Sequence, residues 1–235
     1  MGQTIIKLKY SNNRRYIEHD RLQNQKLSAF GQTSNANSLK VSVLNSVFDE
    51  KLLAECMPSN KRYQDKEVLT YIKSGTLEQE DEYGDIHVLH HGEFQLISSG
   101  GGLRYSEYNP SGTEPTELIQ FIIQPDVLGV ESRIQGELYS NKDSAQLIAS
   151  PNGVNNSYRI NQDVSIHKLN FRDDQSVSFS VESGRTVYAH VISGVVSVNS
   201  GLLYEGDSAI LTNDYMLDMT AFECSSVFIV DLPSV

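Results

Sequence analysis

Tryptophan is absent from this 235-residue chain, cysteine occurs twice and proline six times. No apolar run approaches the roughly 20 residues that a membrane-spanning helix requires. Cys56 and Cys224 are far apart in sequence, so they supply neither a disulfide framework nor the closely spaced pair of a metal knuckle. Basic residues are also scarce: 19 Lys and Arg stand against 30 Asp and Glu, a formal net charge of −11. With no basic stripe, the acidic balance argues against direct nucleic-acid binding through the phosphate backbone, and none is expected. The opening MGQTIIKLKYSNNRRY lacks the apolar core of a secretory leader, so a cytoplasmic protein with no membrane association is expected. What is present is a globular balance of 39% hydrophobic and 21% charged residues, over a length that suits one large or two small domains.

The hydrophobic residues come in short runs rich in β-branched and aromatic types, as in LKVSVLNSVF (39–48), EVLTYIKSG (67–75), IHVLHHGEFQLIS (86–98), ELIQFIIQP (117–125), TVYAHVISGVVSVN (186–199) and SSVFIVDL (225–232). Turn formers separate them: Tyr83-Gly84-Asp85, Gly100–Gly102, Asn109-Pro110-Ser111-Gly112, Pro151-Asn152-Gly153 and Ser183-Gly184. Many closely spaced strands without interleaved helices predict an all-β sandwich or barrel. The pattern breaks between about Gln124 and Asn155, which divides the chain into an N-terminal domain over 1–128, a linker over 129–150 and a C-terminal domain over 151–235. A faint echo connects the halves: Glu67–Gly75 followed by Gly92-Glu93-Phe94 resembles Thr186–Gly194 followed by Gly206-Asp207-Ser208, as a duplication would leave it.

Residues 61–125 carry a more specific signal. Asp65-Lys66-Glu67-Val68-Leu69-Thr70-Tyr71-Ile72, Gly75-Thr76-Leu77-Glu78, Glu80-Asp81, Gly92-Glu93-Phe94-Gln95, Gly102–Ser111 and Ile122-Ile123-Gln124-Pro125 together resemble the pirin family of two-domain cupins. Gln162-Asp163, Asp174–Val177 and Asp231-Leu232-Pro233 are similar to the family's second domain, while His19 and Phe30 mark a largely lost N-terminal block. The resemblance implies a bicupin: two antiparallel β-barrels of jelly-roll type packed together. It also implies an Fe or other divalent transition-metal site in the first barrel, held by a His-x-His pair and a later His-x-Glu, of the kind used by quercetin 2,3-dioxygenase-type members to open a flavonol ring.

Carried over position by position, these ligands fall on Lys61, Tyr63, Tyr105 and Glu107, and only Glu107 matches. No histidine lies between residues 20 and 86 to repair the set by a shift. An ammonium has no free lone pair and repels a cation, so no metal or other cofactor is expected. A barrel-facing Glu107 needs a countercharge, and the expectation is that Lys61 supplies it, with the Tyr63 and Tyr105 hydroxyls completing the hydrogen bonds.

Other candidates are weaker. His87, His90 and His91 read as decoration of an exposed hairpin, and His19, His167 and His190 as ordinary hydrogen-bonded residues. Gly100–Gly102 lacks the Lys-Ser/Thr of a phosphate loop, and no Gly-x-Ser-x-Gly elbow occurs. Tyr63, Tyr71 and Tyr105 would face the pocket and could stack a flat ligand or fill the core. The expected function is a small-molecule-binding or protein-interaction module, with a small aromatic ligand in the N-terminal barrel or a basic protein partner for the acidic surface. The alternatives are a flavonol ring-opening dioxygenase with an altered ligand set, and a metal-free acid–base enzyme using Lys61 and Glu107.

Overall fold

The computed structural model describes residues 5–11, 16–18, 25–30, 41–55, 57–140, 144–212 and 216–234. His19 and Cys56 lie outside the described residues. The first strands are β1 (Ile5–Lys9), β2 (Tyr16–Glu18), β3 (Gln25–Phe30), β4 (Leu44–Leu52), β5 (Ser59–Tyr63), β6 (Glu67–Ser74), β7 (Thr76–Asp81), β8 (Ile86–His90), β9 (Glu93–Ser98), β10 (Leu103–Tyr108), β11 (Thr116–Ile123) and β12 (Arg133–Tyr139). After them come β13 (Ala145–Ser150), β14 (Tyr158–Arg159), β15 (Ser165–Phe171), β16 (Ser176–Ser180), β17 (Thr186–Ser193), β18 (Val195–Val198), β19 (Gly201–Tyr204), β20 (Ser208–Thr212), β21 (Met216–Ala221) and β22 (Ser225–Leu232). Among the described residues no helix is long and apolar enough to cross a membrane.

Each half is a two-sheet sandwich with the same strand order. In the first, a seven-stranded sheet β12-β9-β6-β11-β4-β3-β2 faces a four-stranded sheet β5-β10-β7-β8. In the second, β1-β20-β17-β22-β15-β13-β14 faces β16-β21-β18-β19. Position for position, β6 corresponds to β17 and β9 to β20, so the sequence echo marks equivalent strands. Gly75 and Gly194 turn the chain from the large sheet to the small one at equivalent places, both with positive φ. A Cβ at Gly194 would lie 2.2 Å from Ser225 Oγ, so both backbone conformation and space require glycine there.

The large sheets are buried on both faces, which is why their strands read as nearly continuous apolar runs rather than alternating ones. Along β6, Val68 and Ile72 point into the first sandwich, whereas Leu69 and Tyr71 point toward the second unit. Where the two large sheets meet, Phe228 from β22 packs edge-on against Tyr71, Phe94 and Phe121, at centroid distances of 5.5, 6.2 and 5.2 Å. Tyr71 and Phe94 stack at 4.6 Å. Tyr71 therefore faces this seam, not the barrel pocket expected for it.

The domain limits also shift. Residues 129–150 are not a plain linker: β12 extends the first large sheet beside β9, and β13 belongs to the second beside β15. The N-terminal β1 pairs with β20 of the second unit, from Ile5 opposite Thr212 to Lys9 opposite Ser208. At the other end, Ser42 Oγ donates to Pro233 O at 2.5 Å. Both chain ends thus tie one unit to the other.

A shared seam predicts shared unfolding. Phe228→Ala leaves a hole among three aromatic rings and is expected to cost about 3–5 kcal/mol. In urea denaturation, circular dichroism should show a single transition moved to lower denaturant, without a separately melting half.

Candidate functional site

Inside the first sandwich the apolar core is split in two. Leu52, Ile72, Leu77, Leu89 and Leu118 cluster at one end, and Val68, Ile97, Leu103, Tyr105 and Ile122 at the other. A belt of polar side chains lies among the inward-facing positions of the same strands: Glu50 on β4, Lys61 on β5, Thr70 on β6, Gln79 on β7, Gln95 on β9, Glu107 on β10 and Gln120 on β11.

Pairing of β5 with β10 sets Lys61 opposite Tyr105, and Glu107 lies two residue pairs further along, on the same face. Lys61 Nζ is 3.2 Å from Glu107 Oε2, an ion-pair contact outside hydrogen-bond geometry. It reaches Glu50 Oε2 at 3.3 Å, so one ammonium bridges carboxylates from the two facing sheets. The other oxygen of Glu107 accepts from Gln79 Nε2 at 3.0 Å and from Gln120 Nε2 at 2.8 Å. Gln120 Nε2 also lies 3.2 Å from Thr70 Oγ1 as a donor. Glu107 is 1% exposed, which makes this a charged cluster with almost no water to screen it.

Burial by itself would push the Lys61 ammonium toward its neutral form, but Glu107 and then Glu50 outweigh that cost and raise its pKa above the ordinary lysine value. The phenols of Tyr63 and Tyr105 are also pushed up, chiefly by burial and further by the negative charge of Glu107. Their rings lie 6.2 Å apart. The expected hydroxyl partnership is corrected here: Tyr105 OH is buried without a hydrogen-bond partner, and amides rather than phenols hold Glu107. Gln95 Oε1 and Gln120 Oε1 are likewise buried without partners, which leaves accepting capacity for water or a small polar ligand. On the outer face of the small sheet a groove of about 500 Å³ runs over β5, β10 and β7, walled by Arg62, Glu80, Glu82 and Arg104, on the side opposite the buried side chains of Lys61 and Tyr105.

Chemically this donor set is poor in lone pairs: one protonated amine, two phenols held protonated and one carboxylate already bonded to amides. Among the described residues no three His, Cys, Asp or Glu side chains converge on a common point. The histidines are elsewhere. His87, His90 and His91 sit on the β8–β9 hairpin, with His91 Nδ1 against Lys73 O at 2.6 Å and His90 Nδ1 3.3 Å from Thr76 Oγ1. His190 is buried at the seam, 3.3 Å from Asp49 Oδ1, and the His167 ring packs on Phe179. Gly100 and Gly102 have positive φ and form the turn that leads into β10.

Sequence reasoning missed Glu50, Gln79, Gln95 and Gln120. The signal was available: in Val68-x-Thr70-x-Ile72 and Leu118-x-Gln120-x-Ile122, a polar residue interrupts an inward-facing apolar series. At the corresponding places in the second sandwich, Ala189 on β17 and Ile229 on β22 keep the series apolar. By strand order and register, the places of Lys61, Gln79, Tyr105 and Glu107 are taken there by Val177, Val196, Met219 and Ala221.

Removing the bridging cation strands two carboxylates. Lys61→Met is expected to destabilise the fold by about 3–5 kcal/mol, and combination with Glu107→Gln should recover a large part of that loss. Additive losses in this double-mutant cycle, measured by urea denaturation at pH 7, would show that the two residues do not pair. The sign of the pH dependence follows from the raised Lys61 pKa. Its contribution is complete below the ordinary lysine value of 10.5 and is lost as pH rises through the folded-state value. The difference between wild type and Lys61→Met should therefore stay constant through neutral pH and shrink only above about pH 10.5.

Comparison with known proteins places this geometry. Residues 10–123 match the pirin family model, and residues 147–232 match that of the quercetinase C-terminal cupin domain. The chain is 29% identical over 231 residues to a quercetin 2,3-dioxygenase of Escherichia coli, covering 98% of this chain and 100% of that one. Among solved structures it is similar to Escherichia coli YhhW, with a TM-score of 0.93, 28% identity, and 98% and 99% of the two chains covered. The nickel(II) complex of that bacterial pirin matches with a TM-score of 0.92, 28% identity, and 98% of this chain and 100% of the other covered. From its polar-belted first sandwich to its apolar second one, this chain belongs to the pirin family, with the two-domain architecture of a bicupin.

Proposed function

We propose that the Lys61 ammonium stands in for the family's transition ion, and that the protein is a binding module rather than a ring-opening dioxygenase. The observation that carries this reading is the placement of Lys61 Nζ 3.2 Å from Glu107 and 3.3 Å from Glu50. Glu107 is the one family ligand position with a matching residue, and a second cation beside this ammonium would meet direct repulsion. The donors at Lys61, Tyr63 and Tyr105 do not fit a divalent transition ion, since each would first have to lose a proton that its surroundings hold in place.

The same property argues against metal-free acid–base catalysis. A general base works best with a pKa near the operating pH, and Lys61 is displaced in the opposite direction. Binding is better supported: the unpartnered acceptors Gln95 Oε1 and Gln120 Oε1, the unpartnered Tyr105 hydroxyl and the neighbouring Tyr63 and Tyr105 rings suit a small aromatic ligand with a polar edge. The acidic surface would favour a basic patch on a protein partner.

Elemental analysis of protein purified without a histidine tag, before and after exposure to iron, nickel, copper and manganese, tests the reading. The expected result is no stoichiometric metal and no turnover of quercetin under any of these ions. Stoichiometric metal that disappears in Glu107→Ala, accompanied by quercetin turnover, would overturn it. The triple substitution Lys61→His, Tyr63→His, Tyr105→His is expected to gain metal, which is readable by mass spectrometry whether or not activity returns.

A further inference from the structure

At the edge of the seam, away from the Lys61 cluster, a cavity of about 1200 Å³ has walls from both units. Lys168 on β15 stands in this wall and is 4% exposed. Its Nζ donates to Asn170 Oδ1 at 2.5 Å and lies 6.0 Å from the centroid of the Tyr71 ring. Asn170 Oδ1 is fixed in turn by Ser226 Oγ at 2.8 Å. Among the described residues Lys168 has no ion-pair partner, although the chain carries 11 more acidic than basic side chains. A buried cation without a counterion is costly unless something else supplies the negative charge.

The rest of the wall indicates what kind of anion fits. Arg172 adds a second cation, Gln175 a neutral polar group, and Tyr139 and Tyr71 aromatic surface. Asp173 is the acidic member of the lining, and it would oppose a doubly charged group more than a singly charged one. We infer that the seam cavity binds a small organic carboxylate, whose carboxyl group accepts hydrogen bonds from Lys168 and Arg172 while its apolar body lies against Tyr139 and Tyr71. The site depends on both units and is independent of the function proposed for the first barrel.

Burial lowers the Lys168 pKa to about 8, so below that pH the ammonium is already charged when the ligand arrives. Above it, binding must also draw a proton onto the amine, and affinity should fall with rising pH. The other titratable groups facing the cavity are Tyr71, His91, Tyr139, Arg172, Asp173 and Cys224.

The test is calorimetric titration of the full chain with benzoate, and separately with inorganic phosphate, at pH 7 and pH 9. Saturable benzoate binding is expected, weaker at pH 9, tighter than that of phosphate and reduced about tenfold or more in Lys168→Met. No saturable binding at pH 7, equal binding of phosphate, or benzoate affinity unchanged in Lys168→Met would overturn the inference. Should Lys168→Met not fold, amine labelling of the wild type at pH 8.5 followed by peptide mapping gives the same answer. Benzoate should slow labelling of Lys168 and leave exposed lysines unchanged, and equal slowing or none would refute the site.

Discussion

Where the two seven-stranded sheets meet, Phe228 projects from the second unit into a group formed by Tyr71, Phe94 and Phe121 of the first, and most of the molecule is arranged around that contact. A sheet covered on one face only can alternate apolar and polar side chains. Sheets covered on both must be apolar throughout or pair every polar group they bury. The large sheets pack back to back and the small sheets lie on the outer sides, so a seam core lies between two sandwich interiors. The seam also explains why the chain ends cross over: β1 completes the second large sheet at the position that β12 fills in the first.

Equal topology has not produced equal interiors. The second sandwich is filled by Val177, Val196, Met219 and Ala221 at the places where the first has Lys61, Gln79, Tyr105 and Glu107. An apolar filling is the simpler way to stabilise a barrel, and replacing buried ion pairs by apolar residues is often neutral or stabilising. Retention of a charged belt in the first barrel alone therefore argues that the belt has a use, or descends from one, beyond stability. The second barrel contributes a wall to the seam cavity and half of the seam core.

Under the proposed function, the pirin fold and the dioxygenase activity named for its relatives part at this belt. Backbone and topology fit the family closely, while among the side chains facing Glu107 an amine supplies positive charge. Fold depends on the apolar seam and on paired backbone; activity depends on a few grafted side chains, and these can change without disturbing the rest.

Strand content, the two-unit plan and the echo between the halves were legible in the sequence, because short β-branched and aromatic runs and glycine turns are local properties of the chain. So was the need of Glu107 for a cation, since it follows from one carboxylate in one barrel. Tertiary structure alone decided the remainder. Glu50 reaches Lys61 only because β4 and β5, neighbours in sequence, end up in facing sheets. Tyr71 faces the seam rather than the pocket because β6 is buried on both sides, and alternation cannot say which side is which. The connection over 129–150 became two strands because each found an edge strand with free backbone groups to pair with. Lys168 looks like an ordinary strand residue until β15 is packed at the seam, where burial without an ion-pair partner among the described residues gives it a distinct character. Local pattern determines the elements; which charges meet depends on contacts between residues far apart in the chain, and these exist only once the layers have closed.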